Sequence, residues 1–537
     1  MKKIVLLLTS LWALSLCSCF NLGGDVEQKN SDWLFLLYFD ADSNLNDSLY
    51  VNLRQTEAGL AYARKADGSP EDGYPSINVV VLWDGISEEL KGDSKFMHPD
   101  GAVFELGADY ELRSQADNNQ FDLGDKWKIG ANTKDLTSAA RGWLKTEPDM
   151  GDYKTLEGFL KWAKQRYSAK NVVVCLDDHG AGTHKETYDD STATSKSLCS
   201  DETNSALTKK DRLLTCKNIK DALKSAGYTG ADKPKILWND LCSQATAEIV
   251  YNFAGCADYF SASPNLSFSN NFMYLIGYLK SSYTARDFGK LISSIYYNMF
   301  YKYNQTHCTG NNAISSRSSG CSMITWSLFS LDESKAEALK TAVDNFAGAL
   351  LEIKDSGQTV AGGSETLFNA VYSRYIKQNP KDLSDCKGLA YCGTFAFLND
   401  LGWLTKEVLA DDELSAAHCA AQTLQNLLKH GDDNLIVHAW GGKRAQGDNG
   451  VEWTNITANQ MYHTNQPDLY SGEAVSVEFS EDIYGMTIAA SRKWGFNKSG
   501  QLVPYPANMD TVKNYYDWTG FSQKWGQVIN YWLEDDQ

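Results

Sequence analysis

Two short apolar segments each lead into a side chain that can take part in catalysis. The first, residues 171–176, is followed by His179 and Gly180, and the second, residues 235–238, is followed by Cys242. Such segments are typical of buried strands in a parallel sheet whose two faces are covered by helices. Ligands of such sheets bind beyond the carboxyl ends of the strands. If the two strands are neighbours, an imidazole and a thiol meet at one edge, as a cysteine nucleophile requires.

The chemistry that this pair would perform is nucleophilic catalysis by a thiolate. A thiol is mostly protonated at neutral pH, so a neighbouring base must remove its proton. His179 is the candidate base. Gly180 has no side chain, so a substrate carbonyl can approach its backbone amide, and this amide and that of Cys242 would form an oxyanion hole. The alternative is structural: Cys242 is a small buried hydrophobe and His179 merely ends a strand.

The residues around both strands resemble the clostripain family of cysteine peptidases, which is related to caspases, gingipains and legumain. His-Gly follows the first strand and Asp-x-Cys-x-x-Ala follows the second. Further matching segments are spread between about residues 30 and 300: Trp33–Tyr38, Asp42–Leu45, Met150–Asp152, Phe159–Ala163 and Ala257–Tyr259. The resemblance implies a caspase-like α/β fold, with a mostly parallel sheet flanked by helices.

The resemblance implies the same catalytic roles and adds two acidic residues. Asp240 matches the family's acid that lines the pocket for the residue before the scissile bond, and a carboxylate there favours Arg or Lys. Relatives carry further acidic residues in the segment equivalent to 263–272, which has none in this chain. The basic preference therefore depends on Asp240. Asp178 precedes His179 as in relatives and is a candidate for orienting the imidazole, with a solvated carboxylate as the alternative.

A long polar segment, residues 184–212, separates the two strands. A connection of this length without structure of its own is typically functional or disordered. In relatives the precursor is cleaved in this region after a basic residue, and the candidates here are Lys196, Lys209, Lys210 and Arg212. The alternative is a surface loop that is never cut.

The chain opens with the features of an export signal. Two lysines precede an apolar segment, residues 4–16, which leads into Leu-Cys-Ser-Cys ending at Cys19. This tetrapeptide resembles a bacterial lipobox, so residues 1–18 would be removed, Cys19 would carry lipid, and residues 19–30 would form a tether. Simple secretion is the alternative. No second apolar segment reaches the roughly 20 residues of a transmembrane helix, so we expect a protein that is lipid-anchored to the bacterial cell envelope or secreted.

The composition restricts the partners. Fifty basic and 68 acidic residues give a net charge of −18, which argues against a nucleic-acid partner and is compatible with peptide or protein substrates. We expect membrane contact only through an N-terminal lipid. The twelve cysteines leave disulfides open in an exported protein, with Cys199–Cys216 and Cys386–Cys392 as local pairs.

The expectation for cofactors is that none is needed. No cysteine or histidine cluster has the spacing of a zinc site. Asp40, Asp42, Asn44 and Asn46 mimic the start of a calcium loop, but no following Gly and Glu complete it. Calcium is therefore the one alternative.

The order of predicted elements divides the chain into a catalytic domain, residues 31–300, and a C-terminal α+β region, residues 301–537. In the first part, strands and helices alternate, as in α/β layered folds. The predicted elements there are strands at 33–39 and 77–82, helices at 52–65 and 156–167, a Ser-Ala-Lys turn after the second helix, and a helix at 214–226. In the second part they are helices at 284–301, 333–354 and 415–429 and strands at 323–326, 475–479 and 485–489.

A different class of function competes with peptide hydrolysis. A non-catalytic surface lipoprotein could bind glycan or protein through aromatic side chains, of which 15 Trp and 28 Tyr are present. His438, Trp440, Trp453 and Trp494 are candidates for such a surface, although aromatic residues in strands more often belong to the core. This interpretation leaves the matched positions of His179-Gly180 and Cys242 unexplained.

Overall fold

The computed structural model describes most of the chain as strands and helices around one large sheet. The described residues are 28–118, 121–180, 198–199, 214–264, 267, 270–307, 325–376, 398–441, 484–490, 494–496, 502–504 and 519–535. Their strands are β1 (Lys29–Ala41), β2 (Ile77–Gly85), β3 (Ala102–Glu105), β4 (Lys134–Asp135), β5 (Tyr167–Asp177), β6 (Ile236–Asp240), β7 (Tyr259–Ala262), β8 (Thr325–Ser330), β9 (Leu398–Asp400), β10 (Ile436–Gly441), β11 (Thr487–Ala489), β12 (Trp494–Phe496) and β13 (Leu502–Pro504).

Nine of these strands form a single sheet in the order β10-β8-β7-β6-β5-β1-β2-β3-β4. The five central strands, β7 to β2 in this order, are parallel, and the strands at both edges are antiparallel to their neighbours. The carboxyl ends of the parallel strands therefore share one edge. That edge is where a doubly covered sheet of this kind holds its ligands.

Helices cover both faces of the sheet. In chain order they are α1 (Asn46–Ala63), α2 (Tyr110–Asp117), α3 (Thr137–Ala140), α4 (Tyr153–Arg166), α5 (Cys216–Ser225), α6 (Ala247–Asn252), α7 (Phe272–Gly277), α8 (Ala285–His307), α9 (Glu333–Ser356), α10 (Leu367–Val371), α11 (Leu401–Ala410), α12 (His418–Leu427) and α13 (Gln523–Asp535). Short 3-10 turns at Gly230–Asp232 and Asp412–Ala417 and a π turn at Tyr372–Ile376 complete the set.

The strand side chains alternate between two separate cores. Along β1, Trp33, Phe35 and Leu37 join α1, α2, α7 and α8 in one core. Leu34 and Leu36 join α4, α5, α6 and the C-terminal helices α9 to α13 in the other. This period of two, with both sides apolar, is the pattern of a strand buried on both faces. The sequence prediction of an α/β fold with a mostly parallel sheet flanked by helices is confirmed.

One local prediction is wrong. The Ser-Ala-Lys turn that we expected before the histidine strand is part of β5, which begins at Tyr167 immediately after α4. The reason is the length of β1: Lys29 pairs with Tyr167 and Ser31 with Ala169, so β1 gives these polar residues a parallel partner. A partner strand that lies 138 positions away in the chain, as for Asn30 and Ser168, leaves no signal in the local sequence.

The sheet continues across residue 300, where the sequence predicted a domain boundary. β8 pairs with β7 and β10 pairs with β8, so segments from the later part of the chain extend the same sheet. β9 and β11 form a separate two-stranded sheet. The strand predicted at 475–479 lies outside the described residues. Among the described helices, none combines the length and the apolarity that crossing a membrane requires.

Candidate active site

The histidine and cysteine segments leave the sheet side by side. β5 and β6 are neighbouring parallel strands, and Asp177 is paired in register with Asp240. His179 lies two residues after Asp177, and Cys242 lies two residues after Asp240. The expectation that the two strands are neighbours is therefore confirmed, and both residues lie at the carboxyl edge of the sheet.

Gly180 packs directly against the backbone of Cys242. A Cβ atom built on Gly180 would lie 2.5 Å from the carbonyl oxygen of Cys242, 2.9 Å from its nitrogen and 2.9 Å from Nε2 of Gln244. Such distances are well inside van der Waals contact, so only glycine fits. Gln244 donates a hydrogen bond to the same Cys242 carbonyl over 3.0 Å. The two residues whose amides the sequence predicted for an oxyanion hole are therefore in backbone contact.

The thiol of Cys242 is covered by the loop after β7. The Ser267 amide donates to Sγ over 3.4 Å, and Sγ donates to the Ser267 carbonyl over 3.6 Å. The pKa of the thiol is raised to about 11, first by burial, with the carboxylates of Asp240 and Asp178 adding to the rise. Backbone hydrogen bonds from Ser267 and Gly180 oppose it. At neutral pH such a thiol is mostly protonated, so Cys242 would need a base to act as a nucleophile.

The residue after the thiol has an unusual backbone conformation. Ser243 has a φ of 58°, in the left-handed region that L residues other than Asn and Asp rarely adopt. Ser243 is fully buried, and its Oγ has no hydrogen-bond partner among the described residues. Strained backbone of this kind persists where the surrounding structure enforces it, which happens most often at functional sites. No feature of the sequence pointed to this conformation.

A second residue that sequence reasoning missed contacts the histidine. Nε2 of His179 lies 2.6 Å from Oδ1 of Asn44, in the turn between β1 and α1. The sequence had assigned Asn44 only to a possible calcium loop. The resemblance in the 42–45 segment was a signal for its importance, but it carried no role.

The two acidic residues before His179 are bound from the same side. Asp177 accepts a hydrogen bond from Nδ2 of Asn52 over 2.7 Å, and Asp178 accepts one from Oγ of Ser43 over 3.1 Å. Burial, followed by the charge of Asp240, raises the pKa of Asp177 well above its usual range. The side chains of α1 and the turn before it thus hold Asp177, Asp178 and His179 one after another.

Asp240, two residues before Cys242, is 2% exposed. Its carboxylate accepts from Oγ of Ser267 over 2.8 Å and from the amide of Asn270 over 2.9 Å. The loop that the sequence noted for its lack of carboxylates is therefore attached to the one carboxylate predicted to bind substrate. The same loop contacts both the predicted nucleophile and the predicted specificity residue.

The model of the clostripain family matches residues 69–532, which is most of the chain. The chain belongs to the clostripain family.

One curated relative and several solved structures are similar to this chain. Clostripain from Hathewaya histolytica is 23% identical over 236 residues, which is 44% of this chain and 38% of clostripain. The chain thus spans about two fifths of the length of that relative. Among solved structures, a secreted C11 cysteine protease from Bacteroides thetaiotaomicron in complex with an irreversible peptide inhibitor has a TM-score of 0.50 at 14% identity, covering 92% of this chain and 99% of that one. An inactive zymogen C11 protease from Parabacteroides distasonis gives 0.46 at 13% identity, covering 94% and 99%.

Several predicted features of this clostripain-family chain lie outside the described residues. They are the lipidation candidate Cys19 and the processing candidates Lys196, Lys209, Lys210 and Arg212. Between β5 and β6, the described residues Leu198 and Leu214 form an antiparallel bridge and are fully buried. They attach this part of the connection between β5 and β6 to the core.

The residues of the predicted calcium loop have different partners in the structure. Asn46 donates through Nδ2 to the carbonyl of Phe96 over 2.6 Å, and Asn44 contacts His179. Asp42, by contrast, lies with Asp84 and Glu147, and each places a carboxylate oxygen within 4.8 Å of the other two. Three carboxylates have the donor chemistry of a calcium site, but only one of them belonged to the sequence pattern. Calcium thus stays the alternative to the prediction that no cofactor is needed.

Several described cysteine and tryptophan residues of this family member are packed in the core. Cys199 is a buried free thiol, so the disulfide Cys199–Cys216 that the sequence allowed is not formed. Both residues are packed among apolar side chains, where cysteine acts as a small hydrophobe. The predicted pair Cys386–Cys392 lies outside the described residues.

The largest fully buried side chains include six tryptophans: Trp33, Trp83, Trp238, Trp326, Trp525 and Trp532. Of the residues proposed for a glycan surface, the side chain of His438 is described, and its Nδ1 lies 2.7 Å from Oγ of Ser293.

Proposed function

We propose that this chain is an exported cysteine endopeptidase that hydrolyses peptide bonds after Arg or Lys, with Cys242 as nucleophile and His179 as base. The observation that supports it most is the packing of Gly180 against the backbone of Cys242 at the ends of two adjacent parallel strands. This packing joins the segment of the base to the segment of the nucleophile. Family membership supports the same reaction.

The reaction proceeds in two steps. His179 takes the proton of the Cys242 thiol while the sulfur forms a bond to the peptide carbonyl carbon. The amides of Gly180 and Cys242 stabilise the resulting oxyanion. The proton then passes from the imidazole to the leaving amine as the C–N bond breaks, which leaves an acyl-enzyme. Water, deprotonated by His179, attacks this thioester, and the acid is released with the thiol restored.

The raised pKa of the Cys242 thiol supports the proposed role of His179 as base. With a pKa of about 11, a fraction of only about 10⁻⁴ of the thiol is ionised at pH 7. Proton transfer to His179 must therefore accompany the attack on the carbonyl. General-base catalysis of this type contributes about 10²- to 10⁴-fold to the rate.

The preference for a basic residue rests on Asp240. Its carboxylate lies two positions before the nucleophile, buried at the carboxyl edge of the sheet. A cationic side chain that reaches a carboxylate in such a low-dielectric site gains a charge-assisted hydrogen bond. In the neighbouring segment, residues 263–272, there is no second carboxylate, so this specificity depends on a single charge.

We further propose that the protein acts outside the cytoplasm. The lysine-led apolar segment and the Cys19 motif support a lipid anchor in the cell envelope, with secretion as the alternative. Contact with the membrane would be through that lipid. Cleavage after Lys196, Lys209, Lys210 or Arg212 would free the ends of the connection between β5 and β6. Substrates are peptides or proteins, and the net charge of −18 argues against nucleic acid.

The decisive experiment is Cys242→Ala with a matched cysteine control. Turnover of a fluorogenic peptide with Arg before the scissile bond should fall to background in Cys242→Ala, with the melting temperature nearly unchanged. Cys256→Ala should retain full activity, because Cys256 is another half-buried free thiol but precedes β7 at the opposite edge of the sheet. An arginyl electrophile should label Cys242 in the unmodified protein. Persistent turnover in Cys242→Ala would refute the assignment of the nucleophile.

Specificity is tested by Asp240→Asn. Two peptides that differ only in Arg or citrulline before the scissile bond separate charge from shape. The ratio of their kcat/KM values should fall by about 10- to 100-fold in Asp240→Asn, which corresponds to one hydrogen bond to a charged group. Asp258→Asn, at the opposite edge of the sheet, should leave the ratio unchanged. An unchanged ratio in Asp240→Asn would assign the preference to another residue.

A further inference from the structure

The contact between His179 and Asn44 extends the proposed catalytic pair to a third residue. We infer that Asn44 is a positioning residue that holds the imidazole of His179 in the tautomer with hydrogen on Nε2. The 2.6 Å distance from Nε2 to Oδ1 of Asn44 carries this inference, which rests on the proposed function of His179 as the base.

The turn that carries Asn44 is built to keep its side chain in place. Within the turn, Oγ of Ser43 accepts from the amide of Leu45 over 3.2 Å, and the carbonyl of Ser43 accepts from the amide of Asn46 over 3.1 Å. The same Ser43 hydroxyl lies 3.1 Å from Asp178. Since Asp178 immediately precedes His179, the turn and the histidine segment are connected at two successive positions. The orientation of Asn44 relative to the imidazole is therefore set by more than its own hydrogen bond.

The tautomer decides which ring nitrogen can act as a base. When Nε2 carries hydrogen and donates to Asn44, the lone pair that takes the thiol proton is on Nδ1. After the transfer the ring is a cation, and Nε2–H donates to Oδ1 of Asn44 more strongly than before, because one partner is now charged. Asn44 thus orients the neutral ring and stabilises the imidazolium that forms during attack, without touching the substrate.

A neutral acceptor suits the charges around it. Asp177, Asp178 and Asp240 already lie at this edge of the sheet and are all buried. A further carboxylate beside the imidazole would add to the negative charge near the thiol and oppose its ionisation. The amide of Asn44 accepts the hydrogen bond without that repulsion.

Folding stability does not explain the contact. Asn44 is an exposed residue, so water would satisfy its amide if His179 were absent. An exposed side-chain hydrogen bond contributes little to the free energy of unfolding, whereas it can fix a ring orientation on which catalysis depends. Removing Asn44 should consequently alter turnover and leave the melting temperature unchanged.

The test combines kinetics with a direct observation of the ring. In the full-length protein labelled with 15N-histidine, the signal of His179, identified by its loss in His179→Gln, should show the Nε2–H tautomer. In Asn44→Ala this tautomer should lose its dominance, and kcat for the Arg peptide should fall by about 10- to 100-fold with KM nearly unchanged, as expected for an orienting partner of a histidine. Asn44→Asp, which keeps an oxygen acceptor of the same shape, should restore the tautomer and part of kcat.

A matched control and a clear negative outcome complete the design. Asn132→Ala removes another exposed asparagine, whose Nδ2 donates to the carbonyl of Ala108 over 2.8 Å, and should change neither the tautomer nor kcat. If Asn44→Ala shows the tautomer and kcat of the unmodified protein, or if the unmodified protein has hydrogen on Nδ1, the role of Asn44 is refuted while the peptidase assignment stands. If the unmodified protein cleaves no peptide, the proposed function itself fails, whatever the ring signal shows.

Discussion

The histidine end of β5 and the cysteine end of β6 are held by different kinds of contact. At the histidine end, three consecutive residues are each bound by a side chain from α1 or the turn before it: Asn52 to Asp177, Ser43 to Asp178 and Asn44 to His179. At the cysteine end, backbone geometry dominates, with Ser243 in the left-handed region and Gly180 in contact with the Cys242 backbone.

The difference indicates which end tolerates change. Side-chain hydrogen bonds can be replaced by others of similar shape, so the histidine end should respond to substitution gradually. Backbone in close contact has no such freedom, because an added atom must displace the chain itself. We expect a substitution that adds an atom at the cysteine end to have a larger effect than one that removes a side-chain hydrogen bond at the histidine end.

The largest effect is expected for Gly180→Ala. The added Cβ would fall 2.5 Å from the Cys242 carbonyl oxygen, so one of the two segments must move, which would misalign the amides of the proposed oxyanion hole. Loss of an oxyanion donor costs about 10²- to 10³-fold in kcat, and overpacking costs about 1–3 kcal/mol of stability. Activity assays and urea unfolding measure both. Gly142→Ala is the control, since a Cβ there has no atom within 4 Å and should leave both quantities unchanged.

An intermediate effect is expected in the pH dependence of thiol reactivity. Because burial raises the pKa of Cys242 to about 11, the thiolate fraction at neutral pH is small and increases with pH. The rate of alkylation by iodoacetamide, followed on the Cys242 peptide by mass spectrometry, should rise about tenfold per pH unit from pH 7 to 9. The exposed Cys419 provides an internal reference that reacts faster at pH 7. A rate that is already constant above pH 7 would mean that the thiolate is preformed, and would contradict the raised pKa of the thiol at the cysteine end.

The smallest effect is expected for Ser243→Gly. Glycine adopts a φ of 58° without the steric cost of a side chain, and Ser243→Ala keeps that cost while also removing the hydroxyl. The glycine variant should therefore be more stable than the alanine variant by about 0.5–1 kcal/mol in urea unfolding. Equal stabilities would show that the positive φ is not strained, and that the cysteine end is held by contacts alone.

Much of the fold was accessible from local patterns. The strands at 33–39 and 77–82 and the helices at 156–167 and 333–354 were predicted within a few residues of their observed positions, because burial on both faces forces continuous apolar segments and amphipathic helices repeat every 3.6 residues. The family was accessible for a related reason: His179-Gly180 and Asp240-x-Cys242 are short motifs whose spacing is set by a strand end.

Other features depended on residues far apart in the chain. The partnership of Asn44 with His179 joins positions 135 residues apart, and the strand at Tyr167–Lys170 exists because β1 is long enough to pair with it. The extension of the sheet by β8 and β10 across residue 300 is also a property of long-range pairing. None of these contacts produces a periodicity or a composition signal within a local window.

The sequence alone determined the chemistry that this protein can perform, because a thiol, an imidazole and a glycine after strand ends restrict the reaction before any contact is known. The tertiary structure alone decided how those groups are held: by the Asn44 amide on the imidazole, by the left-handed backbone at Ser243, and by the loop at Ser267 over the thiol. The physical reason is that reactivity belongs to residue types, whereas orientation and desolvation arise only when distant segments are packed together.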